Sequence, residues 1–79
     1  MKFSVNEKLV LMCLVTGATD KQIAKRLDLT QAEVRGITKS LFPKLGVHNR
    51  TQAATWTWRH IEHIHNGLIN GHDFKEAAE

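Results

Sequence analysis

The sequence predicts an all-α domain of four helices. Three observations carry this reading. Helix-start signals recur at short intervals. Ser4-Val5-Asn6-Glu7, Thr19-Asp20-Lys21-Gln22 and Thr30-Gln31-Ala32-Glu33 each place a hydroxyl three residues before Glu or Gln. In that pattern two side chains and two backbone N–H groups satisfy one another at the start of a helix. Between the signals, apolar residues recur at helical spacing. No segment alternates apolar and polar with period two for long, so strands are not expected. A chain of 79 residues has room for one domain.

The first helix follows the Ser4 cap, with Leu9, Val10, Cys13 and Leu14 as its apolar stripe. Gly17 supplies the left-handed residue that commonly ends a helix. The second helix spans about residues 20 to 27. Asp20 suits its positive dipole end, and Ile23, Ala24 and Leu27 form its buried side. Asp28-Leu29 is the turn, and Thr30 caps the third helix. The third stripe is Val34, Ile37, Thr38, Leu41 and Leu45. Pro43 has no N–H to donate to the Lys39 carbonyl and clashes with it, so this helix should kink or end at about Phe42, with Lys44-Leu45 in a looser turn. The fourth helix begins near Arg50 or Thr51 and runs to about His65. Its core stripe is expected to be Ala54, Trp58, Ile61 and Ile64 or His65. The domain is read as residues 1–66, and 67–79 as a C-terminal tail that packs back or is disordered.

A short helix, a tight turn and a longer basic helix match the helix-turn-helix pattern. Small Ala24 stands where the two helices must approach closely. The second helix is too short for a regular four-helix bundle.

Charge points to the partner. Residues 20–59 carry Lys21, Lys25, Arg26, Arg35, Lys39, Lys44, Arg50 and Arg59 against Asp20, Asp28 and Glu33. Residues 60–79 carry Lys75 against Glu62, Asp73, Glu76 and Glu79. The basic block suits a polyanion. Cys13 is the single cysteine, so no intrachain disulfide forms, and its place on the first stripe predicts a buried thiol. No apolar run approaches the roughly 20 residues of a membrane span, and the first residues lack the apolar region of a signal peptide. No Ser-His-Asp spacing, glycine-rich phosphate loop or paired carboxylates can be read, so neither catalysis nor a cofactor is expected. His60 and His63 lie one turn apart, with His65 and His72 beyond. They are read as a polar flank of helix four and not as a metal site.

On a helical wheel of about 100° per residue, Ala32, Arg35, Gly36, Lys39 and Pro43 fall opposite the third stripe. A major groove admits a helix, and Arg or Lys there donates to guanine O6 and N7. Arg35 and Lys39 are therefore candidates for base edges, while Ala32 and Gly36 give clearance. Glu33 is read as completing the Thr30 cap; a bond to a cytosine amine is the alternative. Phosphate-contact candidates are Lys21, Thr30, Lys44 and the start of helix four, Arg50, Thr51 and Gln52. Trp56 lies about 160° from Trp58 on the wheel and is expected to be exposed, anchoring with Thr55 and Arg59 a weak homodimer interface. The alternative tucks Trp56 under the 46–50 loop.

Phe3-Ser4-x-x-Glu7-x-x-Val10-Leu11 is followed by Gly17-Ala18-Thr19-Asp20-Lys21-Gln22-Ile23-Ala24-x-x-Leu27-x-Leu29-Thr30. Val34-Arg35 comes next, and then Lys44-Leu45-Gly46-Val47-x-Asn49-Arg50-x-Gln52-Ala53-Ala54. Over about residues 3 to 65 this resembles the LuxR/GerE-type (NarL-like) helix-turn-helix domain. The resemblance implies a four-helix DNA-binding domain that dimerises through its last helix. It implies base reading at Arg35, Gly36 and Lys39, and backbone contacts at Thr30, Lys44, Arg50 and Gln52. Three positions depart from the pattern: Glu33 stands for a usual threonine, Ile37 for a frequent histidine, and Pro43 is unusual inside that helix. The expectation is a stand-alone, sequence-specific regulator of transcription that binds double-stranded DNA, in the cytoplasm of a bacterium or encoded by a phage or plasmid. The alternative is a small protein-binding modulator of a larger regulator.

Overall fold

The computed structural model of the protein describes residues 3–64. Its helices are α1 (Val5–Val15), α2 (Asp20–Leu27), α3 (Gln31–Leu45) and α4 (Arg50–Arg59). A further helical turn covers 61–64, and the described residues contain no strand. His65, His72 and the tail at 67–79 lie outside the described residues.

All three reciprocal caps form. Ser4 Oγ accepts from the Glu7 N–H at 3.1 Å while the Ser4 N–H donates to Glu7 Oε1 at 2.8 Å. Thr19 and Gln22 repeat the arrangement at 3.2 and 2.9 Å, and Thr30 and Glu33 at 3.0 and 2.9 Å. Glu33 is thus the partner of the Thr30 cap. Gly17 ends α1 at φ 78°, and the Ala18 N–H reaches back to the Cys13 carbonyl. The turn between α2 and α3 takes its shape from Asp28, which adopts the left-handed conformation at φ 59°. A short polar side chain is among the few that tolerate it. The N–H groups of Asp28 and Leu29 then both point to the Ala24 carbonyl.

α1 lies at the centre and packs against α4, α3 and α2. The core is Val10, Leu11, Cys13 and Leu14 of α1, Ile23 and Ala24 of α2, Val34, Leu41 and Leu45 of α3, Ala53 of α4, and Ile64. Leu11 fills the place expected of Leu9, which is only half-buried. Thr38 and Thr57 are buried with their hydroxyls bonded to the Arg35 and Ala53 carbonyls at 2.9 and 2.8 Å, so neither is left unsatisfied.

Three expectations need correction. α3 does not end at Phe42 but continues through Pro43 to Leu45. Pro43 and Lys39 are both exposed, and the helix forgoes the bond that an N–H at position 43 would donate to the Lys39 carbonyl. The last turn is closed instead by Gly46 at φ 73°, with the Val47 N–H bonded to the Phe42 carbonyl at 3.0 Å. α4 stops at Arg59, short of His65. His60 leaves the helical conformation, its N–H bonds the Thr57 carbonyl at 3.0 Å, and its Nδ1 lies 2.8 Å from the Trp56 carbonyl. Finally, Trp58 is 66% exposed instead of buried. The inward face of α4 is made by Ala53 and Thr57, both fully buried. Small residues let α4 approach α1 closely, and that choice turns Trp58 to the outside.

Candidate nucleic-acid interface

Packing on one side of α3 decides what the other side presents. Val34 and Leu41 are fully buried and Leu45 nearly so, which fixes the rotation of the helix. Arg35, Gly36 and Lys39, with Ala32, are then exposed together on the outer face. The structure therefore brings the three base-reading candidates onto one surface, where they surround a shallow hollow lined by Ala32, Arg35, Gly36, Thr38 and Lys39. Neither Arg35 nor Lys39 enters an ion pair among the described residues. A Cβ built on Gly36 would meet nothing within 4 Å. No internal contact of the protein requires glycine there.

The phosphate candidates divide. Lys21, in the first turn of α2, and Thr51, in the first turn of α4, are exposed. The Thr30 hydroxyl is committed to its cap. Gln52 is committed too: its N–H bonds Asn49 Oδ1 at 2.8 Å and its Oε1 accepts from the His48 N–H at 2.7 Å. Lys44 and Arg50 are engaged inside the domain. Lys44 Nζ lies 3.3 Å from Glu7 Oε1 and 5.0 Å from the centre of the Phe3 ring. The Ser4 N–H holds the Glu7 carboxyl below its ordinary value, partial burial opposes this, and Lys44 adds to the lowering. Arg50 donates through one guanidinium nitrogen to Asp20 Oδ1 and through the other to the Ala18 carbonyl. It joins the start of α4 to the start of α2.

The residues expected at an interface on α4 differ in exposure. Thr55 and Arg59 are exposed, but Trp56 is half-buried. Its ring meets Phe3 edge-on at 5.9 Å and stacks on His60 at 4.1 Å. Trp56 thus packs within the domain against Phe3 and His60. Trp58 is the exposed tryptophan. Sequence reasoning missed the Asp20–Arg50–Ala18 clasp and the Phe3–Trp56–His60 stack. An aromatic residue directly before the first cap was the one signal for the second. Among the described residues no group of three His, Cys, Asp or Glu side chains is placed to hold a metal ion.

The family model described as "Bacterial regulatory proteins, luxR family" matches residues 1–57. The nitrate/nitrite response regulator protein NarL of Escherichia coli (strain K12) is 34% identical over 58 residues, 73% of this chain and 26% of that protein. The DNA-binding transcriptional activator DevR/DosR of Mycobacterium tuberculosis is 42% identical over 50 residues, 63% of this chain and 23% of its own. The CsgBAC operon transcriptional regulatory protein of Escherichia coli (strain K12) is 40% identical over 50 residues, with the same coverage of 63% and 23%. The match therefore spans 26% or less of each of these relatives. No solved structure matches the chain.

Proposed function

The chain belongs to the luxR family of bacterial regulatory proteins, and from that premise we propose that it is a sequence-specific DNA-binding regulator of transcription that lays α3 in the major groove. The observation that carries the proposal is the outer face of α3: two cations one turn apart, Arg35 and Lys39, flank a glycine that nothing inside the protein requires. A glycine in a helix interior costs about 0.5–1 kcal/mol relative to alanine. Close approach by an external surface gives that cost a purpose. The names of the relatives, which include a response regulator and a transcriptional activator, support the same reading.

Arg35 and Lys39 donate to base edges in this reading, and Gly36 admits the groove floor. Lys21, Thr30, Thr51 and Gln52 flank the duplex backbone. Lys44 and Arg50 contribute chiefly by holding α1, α2 and α4 in position. Dimerisation uses the exposed outer face of α4, with Trp58 in place of Trp56 as its anchor beside Thr55 and Arg59.

Selection from random duplex DNA followed by titration tests the proposal. One preferred sequence is expected, with affinity falling steeply as salt rises. Arg35→Ala should cost about 1–3 kcal/mol and relax preference at one base position. Absence of duplex binding at low salt would overturn the reading and leave a protein-binding modulator in its place.

A further inference from the structure

The charge of this chain is divided along its length. Residues 3–64 hold nine Lys and Arg against five Asp and Glu, whereas residues 65–79 hold Lys75 against Asp73, Glu76 and Glu79. The positive surplus lies where no internal partner meets it. Arg35 and Lys39 on α3, and Lys21, Lys25 and Arg26 on α2, are exposed and enter no ion pair among the described residues. Between Arg35 and Lys39 is a hollow of about 460 Å³, lined by the methyl of Ala32 and the bare backbone of Gly36. Thr38, also in its lining, turns its hydroxyl to the Arg35 carbonyl. An apolar hollow between two cations suits a segment that carries an aromatic ring between carboxylates. The apolar surfaces leave water together, and the opposite charges pair at the rim. The sequence holds one such segment beyond the described residues, Asp73-Phe74-Lys75-Glu76. It starts within reach. Ile64 is fully buried and so anchored in the core, and the chain from there to Asp73 can span about 30 Å, the diameter of a small domain.

Resting on the DNA-binding reading above, we propose that the acidic segment 73–79 docks on the outer face of α3 and competes there with DNA. Asp73 and Glu76 pair with Arg35 and Lys39, and the Phe74 ring lies over Ala32 and Gly36. A short tether holds such a segment at a local concentration on the order of millimolar. Even a contact with a dissociation constant of about 1 mM then covers the face about half of the time, which halves the apparent affinity for DNA. The factor is the same for every duplex, so the tail lowers affinity without changing sequence preference.

The test uses the full chain at low salt, first without DNA. A nitroxide is attached through Ala78→Cys, since the native Cys13 is buried. The backbone N–H resonances of Arg35, Gly36 and Lys39 should broaden, and the broadening should fade when Asp73→Asn, Glu76→Gln and Glu79→Gln are combined. Duplex titration of the unlabelled chain follows. Phe74→Ala changes no charge, so long-range attraction to DNA is unaltered. It should still bind any duplex at least about twofold more tightly than the parent, because the face is freed. The neutralised tail should tighten binding further, and neither variant should alter the preferred sequence. No broadening on α3, or broadening confined to the Trp58 face of α4, overturns the inference and leaves DNA binding standing. Broadening on α3 with duplex affinity unchanged in Phe74→Ala also overturns it, since the contact then competes with nothing. If neither the parent nor the neutralised chain binds a duplex, the DNA-binding reading falls and the competition falls with it.

Discussion

At Gly36 the demands of the helix and of the surface oppose each other. Alanine would suit the helix better, and the space for its Cβ is open. Gly36→Ala should therefore stabilise the domain by about 0.5–1 kcal/mol, which for a domain of this size raises Tm by several degrees. The same variant should bind the selected duplex less tightly. Thermal melting followed by circular dichroism, paired with a duplex titration, checks both halves. A stabilised variant with undiminished binding would place Gly36 away from the groove. Glu7 makes a second residue-scale prediction. Its folded-state carboxyl is held below the ordinary value, chiefly by the Ser4 N–H. Its contribution to stability is then fully present above the unfolded value, about 4.3, and is lost as pH falls through the lower folded value. Glu7→Gln should melt below the parent at neutral pH, and the gap should close in acid. A gap independent of pH would mean that the carboxylate charge contributes nothing.

The elements were legible where their signals are local. Each cap joins residues three apart, so sequence alone shows donor and acceptor together. The HTH geometry follows from those caps and the short interval between α2 and α3. The links between elements were not legible. Lys44 meets Glu7 across 37 positions and Arg50 meets Asp20 across 30, and sequence offers each cation several carboxylates. Two residues expected at phosphates are consequently tied within the domain. The face of α4 was misread for a different reason. Hydrophobic periodicity favours the large residue, whereas close packing on α1 selected Ala53 and Thr57. Arg50 offers the sharpest test at this scale. As a clasp, Arg50→Ala should cost about 1 kcal/mol of stability, since the pair is partly exposed and solvent screens it. A double-mutant cycle with Asp20→Asn should show coupling between the two sites. An unchanged melting point, together with a salt slope flattened by about one unit, would make Arg50 a phosphate contact instead.

The whole molecule exposes two large apolar side chains among its described residues, Val5 and Trp58. Trp58 shares the outer face of α4 with Thr51, Ala54 and Thr55 at helical spacing. An exposed tryptophan on such a stripe is a frequent interface anchor. A twofold axis crossing α4 between Ala54 and Thr55 would run the two helices antiparallel. It would then set Trp58 of each copy opposite Thr51 of the other. Beside Thr51 the structure has an open groove lined by Leu14, Val15, Gly17, Ala18, Arg50 and Ala54. A helix of 10 residues is only about 15 Å long, so the pair would bury less than about 1,000 Å² and associate weakly in free solution. DNA carrying two half-sites about one helical turn apart would hold the copies together. Trp58→Ala should therefore keep the melting point of the parent and lose cooperativity on a two-half-site duplex, while binding a single half-site unchanged. Trp56→Ala should do the reverse at first contact. It loses the Phe3 and His60 rings, so its melting point should drop. If Trp58→Ala fills the double site as cooperatively as the parent, this face of α4 is not where two copies meet.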